Sequence, residues 1–220
     1  MRSIASRRTH GAESMLRLLL PRQEVLGPGA VLLRGFAGVK SAALIKEISR
    51  IAEAAPFRHQ VTPGGHAMST AMSNCGALGW ITDRKGYRYE PRDPATARAW
   101  PAMPDIFRDL AARAAAAAGF PGFAPDSCLV NRYAPGAKMG LHQDKDEKDF
   151  SAPIVSASLG LPAIFLWGGL KRNDKPKRFV LEDGDVVVWG GPSRLVYHGI
   201  ADLAEGDGPF RFNLTFRKAT

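Results

Sequence analysis

His142 and Asp144 stand two residues apart, and a solitary His198 follows far downstream. Two imidazoles and one carboxylate can occupy one face of an octahedral ferrous ion and leave three positions open, the arrangement that oxygen activation needs. Near the C-terminus Arg211 and Arg217 flank Phe212-Asn-Leu-Thr-Phe216. Their planar guanidinium groups could hold a dicarboxylate co-substrate against such a metal. Each feature also has a plainer reading. His-x-Asp arises by chance as a solvated polar pair, a lone histidine is commonly a hydrogen-bonded core residue, and arginines alternating with apolar residues describe any half-buried strand.

The metal reading makes demands on the fold. In an extended strand, residues two apart point to the same side, so His142 and Asp144 could reach one ion. His198 must then arrive from a distant strand, as at a barrel mouth. In a strand, Arg211, Asn213, Thr215 and Arg217 share one face and Phe212, Leu214 and Phe216 the other. The sequence from Cys128 onward suits this. Residues 128–133, 154–159, 163–167, 179–181, 186–189, 195–197 and 212–216 are short β-rich runs separated by turns such as Glu182-Asp-Gly-Asp185. Many short strands with tight turns imply a sandwich or barrel.

Ahead of this block, residues 30–34 read as a strand. Ser41 can cap a helix whose apolar stripe is Leu44, Ile45, Ile48, Ile51 and Ala52, closed by Pro56. A second helix starts near Pro104, places Ile106, Phe107, Leu110, Ala111 and Ala114 on one face, and ends at Gly119. The segment between them, 62–100, is rich in Gly, Pro and aromatics and reads as hairpins and loops. The expected fold class is α+β and mainly β: a double-stranded β-helix (jelly roll) with two N-terminal helices on one outer face.

The chain has 220 residues, enough for one sizeable domain. Its formal net charge of +9 favours a polyanionic partner, with nucleic acid or an anionic membrane the usual candidates and a basic protein with no such partner the plainer reading. Cys75 and Cys128 lack the spacing of a zinc or redox pair and read as buried thiols in a reducing compartment. No apolar run approaches the roughly 20 residues of a membrane span. Residues 1–24 read as a basic, disordered extension, within which Met15 is an alternative start. Residues 25–220 are expected to form the domain, with 62–100 a substrate lid and 128–220 the jelly-roll core.

Six segments together carry a resemblance: Asn131-Arg-Tyr-Ala-Pro-Gly-Ala-Lys138, Leu141-His-Gln-Asp-Lys-Asp-Glu147, Ile154-Val-Ser-Ala-Ser-Leu-Gly160, Gly184-Asp-Val-Val-Val-Trp-Gly-Gly191, Tyr197-His-Gly199 and Arg211 to Arg217. With Thr62-Pro-Gly-Gly65 and Asn74-Cys-Gly76, this ordered set closely resembles the bacterial members of the AlkB family, Fe(II)/2-oxoglutarate-dependent nucleic-acid dealkylases. It runs from about Leu26 to the C-terminus. The resemblance implies Fe(II) held by His142, Asp144 and His198, and 2-oxoglutarate held by Asn131, Tyr133, Arg211, Asn213 and Arg217, with O2 as oxidant. The implied activity is oxidative removal of N-methyl groups from bases as formaldehyde.

The same resemblance implies a substrate end. The damaged base would stack between Trp80 and His142, with Asp146 contacting it. Thr62, Met72 and Tyr87 would line the lid, and Lys145 and Arg172 could meet backbone phosphates. Bases methylated at adenine N1 or cytosine N3 are cationic, which suits an aromatic face beside a carboxylate. The base must leave its stack to react, so DNA that is single-stranded or flipped is expected, with RNA as a second substrate. A cytoplasmic monomer without membrane contact is expected. The sequence departs from the family at Gly140, where a small hydroxyl residue is usual, and at Phe212, where tyrosine is common. Two other readings compete: an oxygenase acting on a small molecule or protein, and a catalytically silent nucleic-acid-binding module.

Overall fold

Residues 22–206 and 208–220 are described by a computed structural model of the chain. The expectations about the N-terminal extension and Met15 lie outside these residues, apart from its last positions. Gln23 and Glu24 already belong to strand β1 (Gln23–Gly27), so the ordered domain begins before residue 25. Glu24 is tied there by an ion pair to Arg34 at 3.0 Å.

Two sheets face each other, as the jelly-roll expectation requires. The larger contains β1, β2 (Ala30–Leu33), β3 (Arg58–Val61), β4 (Ala67–Gly76), β7 (Ser127–Tyr133), β9 (Ile154–Gly160), β12 (Val186–Trp189) and β14 (Arg211–Arg217). Their spatial order is β1-β2-β12-β9-β14-β7-β4-β3. The smaller contains β8 (Met139–His142), β10 (Ala163–Trp167), β11 (Lys177–Leu181) and β13 (His198–Ile200), in the order β11-β10-β13-β8. A separate hairpin is formed by β5 (Gly79–Asp83) and β6 (Gly86–Glu90).

The large sheet is covered on both faces. On its outer face lie helices α1 (Ser41–Ala54) and α2 (Asp105–Ala117). Leu44, Ile48 and Ile51 of α1 recur at helical spacing and are buried with Phe107, Leu110, Ala111 and Ala114 of α2 against Val130, Val155, Val188, Leu214 and Phe216. Truncating Phe107 to Ala would cost about 3–5 kcal/mol through the cavity left behind. On the inner face Leu32, Ile154, Val187 and Trp189 meet Phe165, Trp167, Leu181 and Ile200 of the small sheet. A sheet buried on both sides reads as a continuous apolar run, which is why all four residues of β12 are buried.

Three expectations are corrected. Ser41 is the first residue of α1 and not its cap; its hydroxyl donates to Asp183 Oδ1 at 2.6 Å. The strand expected at 195–197 lies instead at His198–Ile200, because residues 191–197 form a 3-10 turn and its exit. Segment 62–100 is not all hairpin and loop: β4 pairs from Ala71 to Gly76 with β7 inside the large sheet. Only the β5–β6 hairpin stands apart from the core sheets.

Candidate active site

His142 ends β8 and His198 begins β13, and the two are directly paired across these strands. Gly199 permits the close approach, since a Cβ there would lie 2.6 Å from the Met139 carbonyl oxygen. Asp144 lies past the end of β8, so the shared strand face expected of His142 and Asp144 is replaced by irregular backbone after the strand. The three side chains still converge. His142 Nε2 is 3.6 Å from Asp144 Oδ1, and His198 Nε2 is 3.8 Å from Asp144 Oδ2. One donor atom from each residue lies within 4.8 Å of the other two. Donors spaced in this way can share one transition-metal ion with bonds of about 2.1 Å.

Backbone carbonyls fix the tautomers. His142 Nδ1 donates to Gly140 O at 2.9 Å, and His198 Nδ1 donates to Val196 O at 3.0 Å. A carbonyl only accepts, so each Nδ1 carries the proton and each Nε2 lone pair faces Asp144. Burial pushes the His198 pKa down to about 4, helped by neighbouring His142, which keeps the ring neutral and ready to ligate. Trp189 packs edge-on against it at 4.8 Å between ring centres.

Asp144 is only 8% exposed. Burial alone would raise its carboxyl pKa, but the Arg217 guanidinium, then His198 and His142, hold it well below the usual carboxylate range. Arg217 donates to Asp144 Oδ2 through Nε at 3.0 Å and through a terminal nitrogen at 2.7 Å. A second buried carboxylate, Glu147, shares this arginine at 3.2 Å. Glu147 also accepts from Arg194 at 3.0 Å and from the Tyr89 hydroxyl at 2.6 Å. Arg194 in turn donates to the Asp144 carbonyl at 2.7 Å. Glu147, Arg194 and Tyr89 were not among the expected site residues. Glu147 lay in plain view in the sequence, but only tertiary pairing shows its role.

Arg211 is 1% exposed, so the arginines of β14 are not the solvated edge of an ordinary strand. One terminal nitrogen donates to Ser158 Oγ at 2.9 Å, and the guanidinium lies over the Tyr133 ring at 4.9 Å. Its Nε and other terminal nitrogen have no partner, and it pairs with no carboxylate among the described residues. Burial lowers its pKa accordingly. A buried cation with free N–H groups is costly unless an anion arrives. The arrangement therefore fits a carboxylate ligand. Asn213 is fully engaged, accepting from Asn131 Nδ2 at 3.0 Å and donating to Ser156 Oγ at 2.8 Å, and this leaves Asn131 Oδ1 buried without a partner.

The β5–β6 hairpin closes the other end. Alternation places Trp80, Tyr87 and Tyr89 on one face, while Ile81 on the other packs with Ala55 and Trp100. Trp80 and Tyr87 rings stack at 5.7 Å with a 19° tilt. The Trp80 indole donates to Asp146 Oδ2 at 2.7 Å, although β8 ends at His142 and the strand does not carry on to residue 146. Asn74, 1% exposed, grips the Trp80 backbone from both sides: its Oδ1 accepts from Trp80 N and its Nδ2 donates to Trp80 O, each at 3.0 Å.

All the expected site residues line one cavity of about 500 Å³. Asp144, His198, Asn131, Tyr133, Arg211, Asn213 and Arg217 are its buried lining, His142 is half-buried, and Thr62, Met72, Trp80, Tyr87, Lys145, Asp146 and Arg172 complete the wall. A Cβ at Gly140 would meet nothing within 4 Å, so its departure from the family pattern leaves open space beside the metal strand.

Comparison with known proteins agrees with this geometry. Residues 29–217 match the model of the 2OG-Fe(II) oxygenase superfamily. The alpha-ketoglutarate-dependent dioxygenase AlkB of Escherichia coli is 62% identical over 203 residues, covering 90% of this chain and 94% of that protein. The DNA N(6)-methyladenine demethylase ALKBH1C of Arabidopsis thaliana is 30% identical over 227 residues, 88% of this chain and 49% of that protein. The solved structure of OsALKBH1 superposes with a TM-score of 0.78 at 30% identity, covering 90% of this chain and all of that one. With the metal-binding face, the buried arginine and these matches in agreement, the chain belongs to the AlkB family of the 2OG-Fe(II) oxygenase superfamily.

Proposed function

We propose that this Fe(II)/2-oxoglutarate-dependent dioxygenase demethylates alkylated bases of the 1-methyladenine and 3-methylcytosine type in DNA, and in RNA. The observation that carries the reading is the single cavity joining a three-donor metal face, a buried arginine with free N–H groups, and an aromatic–carboxylate pair at the mouth. In this reading His142, Asp144 and His198 hold Fe(II), which with 2-oxoglutarate and O2 supplies the hydroxylation of the N-methyl group. One oxygen atom goes to the methyl carbon and the other to succinate, with loss of CO2. The hydroxymethyl group then leaves as formaldehyde.

The protein's own part is positioning. Arg211 grips the far carboxylate of 2-oxoglutarate from a buried position, supported by Ser158 and Tyr133. Asn131 lines the same pocket, braced by Asn213. Arg217 holds Asp144 in place and lies beside the metal-side carboxylate. At the mouth, Trp80 and the exposed edge of His142 receive the flipped base, and Asp146 favours its positive charge. Thr62, Met72 and Tyr87 enclose it, while Lys145 and Arg172 meet phosphates. The substrate in this reading is single-stranded or has its target base flipped, because a base within a stacked duplex cannot enter an enclosed cavity. The same reading has residues 23–220 acting as one monomeric, cytoplasmic domain. Its support is the bacterial relative and the two buried free thiols Cys75 and Cys128.

The test is formaldehyde release from a methylated oligonucleotide, with and without 2-oxoglutarate. Release only with the co-substrate supports the reading. Succinate formation without formaldehyde from any methylated nucleic acid would instead favour a small-molecule or protein substrate.

A further inference from the structure

The small sheet carries one continuous row of cross-strand partners. His142 pairs with His198, His198 with Trp167, and Trp167 with Lys177. Directly opposed residues in antiparallel strands point to the same face. Lys177 therefore lies on the face that carries the metal histidines, two strands from His198, or roughly 10 Å at normal strand spacing. It is exposed on β11, the edge strand of the sheet, while Phe179 and Leu181, on the same face of β11, turn into the core. Arg178 projects from the opposite face, away from the cavity.

The neighbouring chain reinforces this placement. Lys175-Pro176-Lys177 has a proline between its lysines. Proline fixes its own φ and biases the preceding residue toward extended backbone, so the lysines are held two apart with little freedom. Lys171 and Arg172 continue the basic run toward the cavity, which Arg172 lines while lying 5.9 Å from the centre of the Tyr197 ring. None of Lys171, Arg172, Lys175 and Lys177 forms an ion pair among the described residues. The one acid of the loop, Asp174, is exposed but pairs with none of these cations; it accepts from the Lys171 backbone N–H at 3.0 Å. Four exposed cations with no intramolecular anion, leading outward from the cavity, form a surface suited to a polyanion.

We propose that Lys175 and Lys177 form a phosphate track outside the cavity, which holds the backbone of the substrate strand beyond the nucleotide being repaired. This rests on the nucleic-acid reading given above. It adds a footprint whose contribution grows with strand length and which depends on one face of β11. Its contacts are to phosphates, so it strengthens binding without selecting sequence.

The experiment compares wild type, Lys175→Gln/Lys177→Gln and Arg178→Gln as full-length, metal-loaded protein. Affinity for a single-stranded, methylated 15-mer is measured as a function of salt, and formaldehyde release is measured on that 15-mer and on a methylated trinucleotide. Each phosphate contact on a single strand contributes about 0.7 to the slope of log affinity against log salt. The double variant is expected to lower the slope by about 1.4, and to lose about tenfold in kcat/KM on the 15-mer and far less on the trinucleotide. Arg178→Gln is expected to behave as wild type. An unchanged slope in the double variant, an equal drop in Arg178→Gln, or equal losses on short and long substrates would overturn the track. Absence of formaldehyde from either substrate with wild type would overturn the nucleic-acid reading itself, an outcome visible before any variant is compared.

Discussion

The indole nitrogen of Trp80 donates to Asp146 Oδ2 at 2.7 Å, so the aromatic face and the carboxylate at the cavity mouth are held as one unit. Stacking and charge recognition are thereby coupled. Trp80→Phe keeps a ring but frees Asp146, and is expected to weaken cationic substrates several-fold while succinate formation without substrate is retained. Trp80→Ala should lose stacking as well, about 1–3 kcal/mol. Asp146→Ala should harm methylated adenine and cytosine more than neutral methylated thymine. Formaldehyde assays across charged and neutral substrates decide this, and equal losses would remove Asp146 from base recognition.

Asp144→Ala should abolish succinate formation at saturating Fe(II). It removes the only carboxylate of the three-donor face. The fold should survive, because Arg217 keeps Glu147 as a partner. Circular dichroism with a coupled succinate assay separates the two effects, and turnover near wild type would refute the ligand assignment.

Arg211→Lys should raise the 2-oxoglutarate requirement far more than the nucleic-acid requirement, costing on the order of 1.5–3 kcal/mol through loss of two-pronged geometry. Arg211→Met goes further. It replaces a buried cation lacking a carboxylate partner with an apolar chain, so the ligand-free protein should melt no lower than wild type. Added 2-oxoglutarate should raise the melting temperature of wild type and leave Arg211→Met unmoved. A co-substrate shift in the variant would place the clamp elsewhere.

Metal-free protein should lose stability as pH falls from about 6.5 toward 4. The buried His198 has a folded pKa of about 4, against about 6.5 for an unfolded histidine. Between these values the unfolded chain binds more protons, so stability rises with pH through this window and is fully present above it. Chemical denaturation at several pH values would show the slope, and His198→Gln should flatten it. An identical slope in that variant would assign the effect to other groups.

The chemistry-bearing residues were legible only as a set: His-x-Asp, a lone downstream histidine and two arginines six apart are each commonplace alone, and the ordered segments resembling the AlkB family joined them. The helices were legible through Leu44, Ile48 and Ile51 and through Phe107 and Leu110, whose spacing admits one periodicity. Strand β4 was not. Its residues Ala67-Met-Ser-Thr-Ala-Met-Ser-Asn-Cys-Gly76 are small and polar, and Thr70, Ser73 and Asn74 are buried by tertiary hydrogen bonds that no local pattern reveals. Strand β13 was expected at 195–197, where Leu, Val and Tyr are strand formers, but it lies at His198–Ile200, where Gly199 is required for β13 to approach β8. The Glu147–Arg194–Tyr89 network joins three distant segments, and such pairings exist only once the chain is folded.

The grip of Asn74 on both backbone polar groups of Trp80 has a mechanical meaning. It anchors the root of the β5–β6 hairpin to a buried strand of the large sheet, while Tyr87, near the turn, is 49% exposed. The plane of the indole is thus set by the large sheet and is in place before any ligand arrives, so a change at Asn74, which touches no ligand, would be felt first as a misplaced ring.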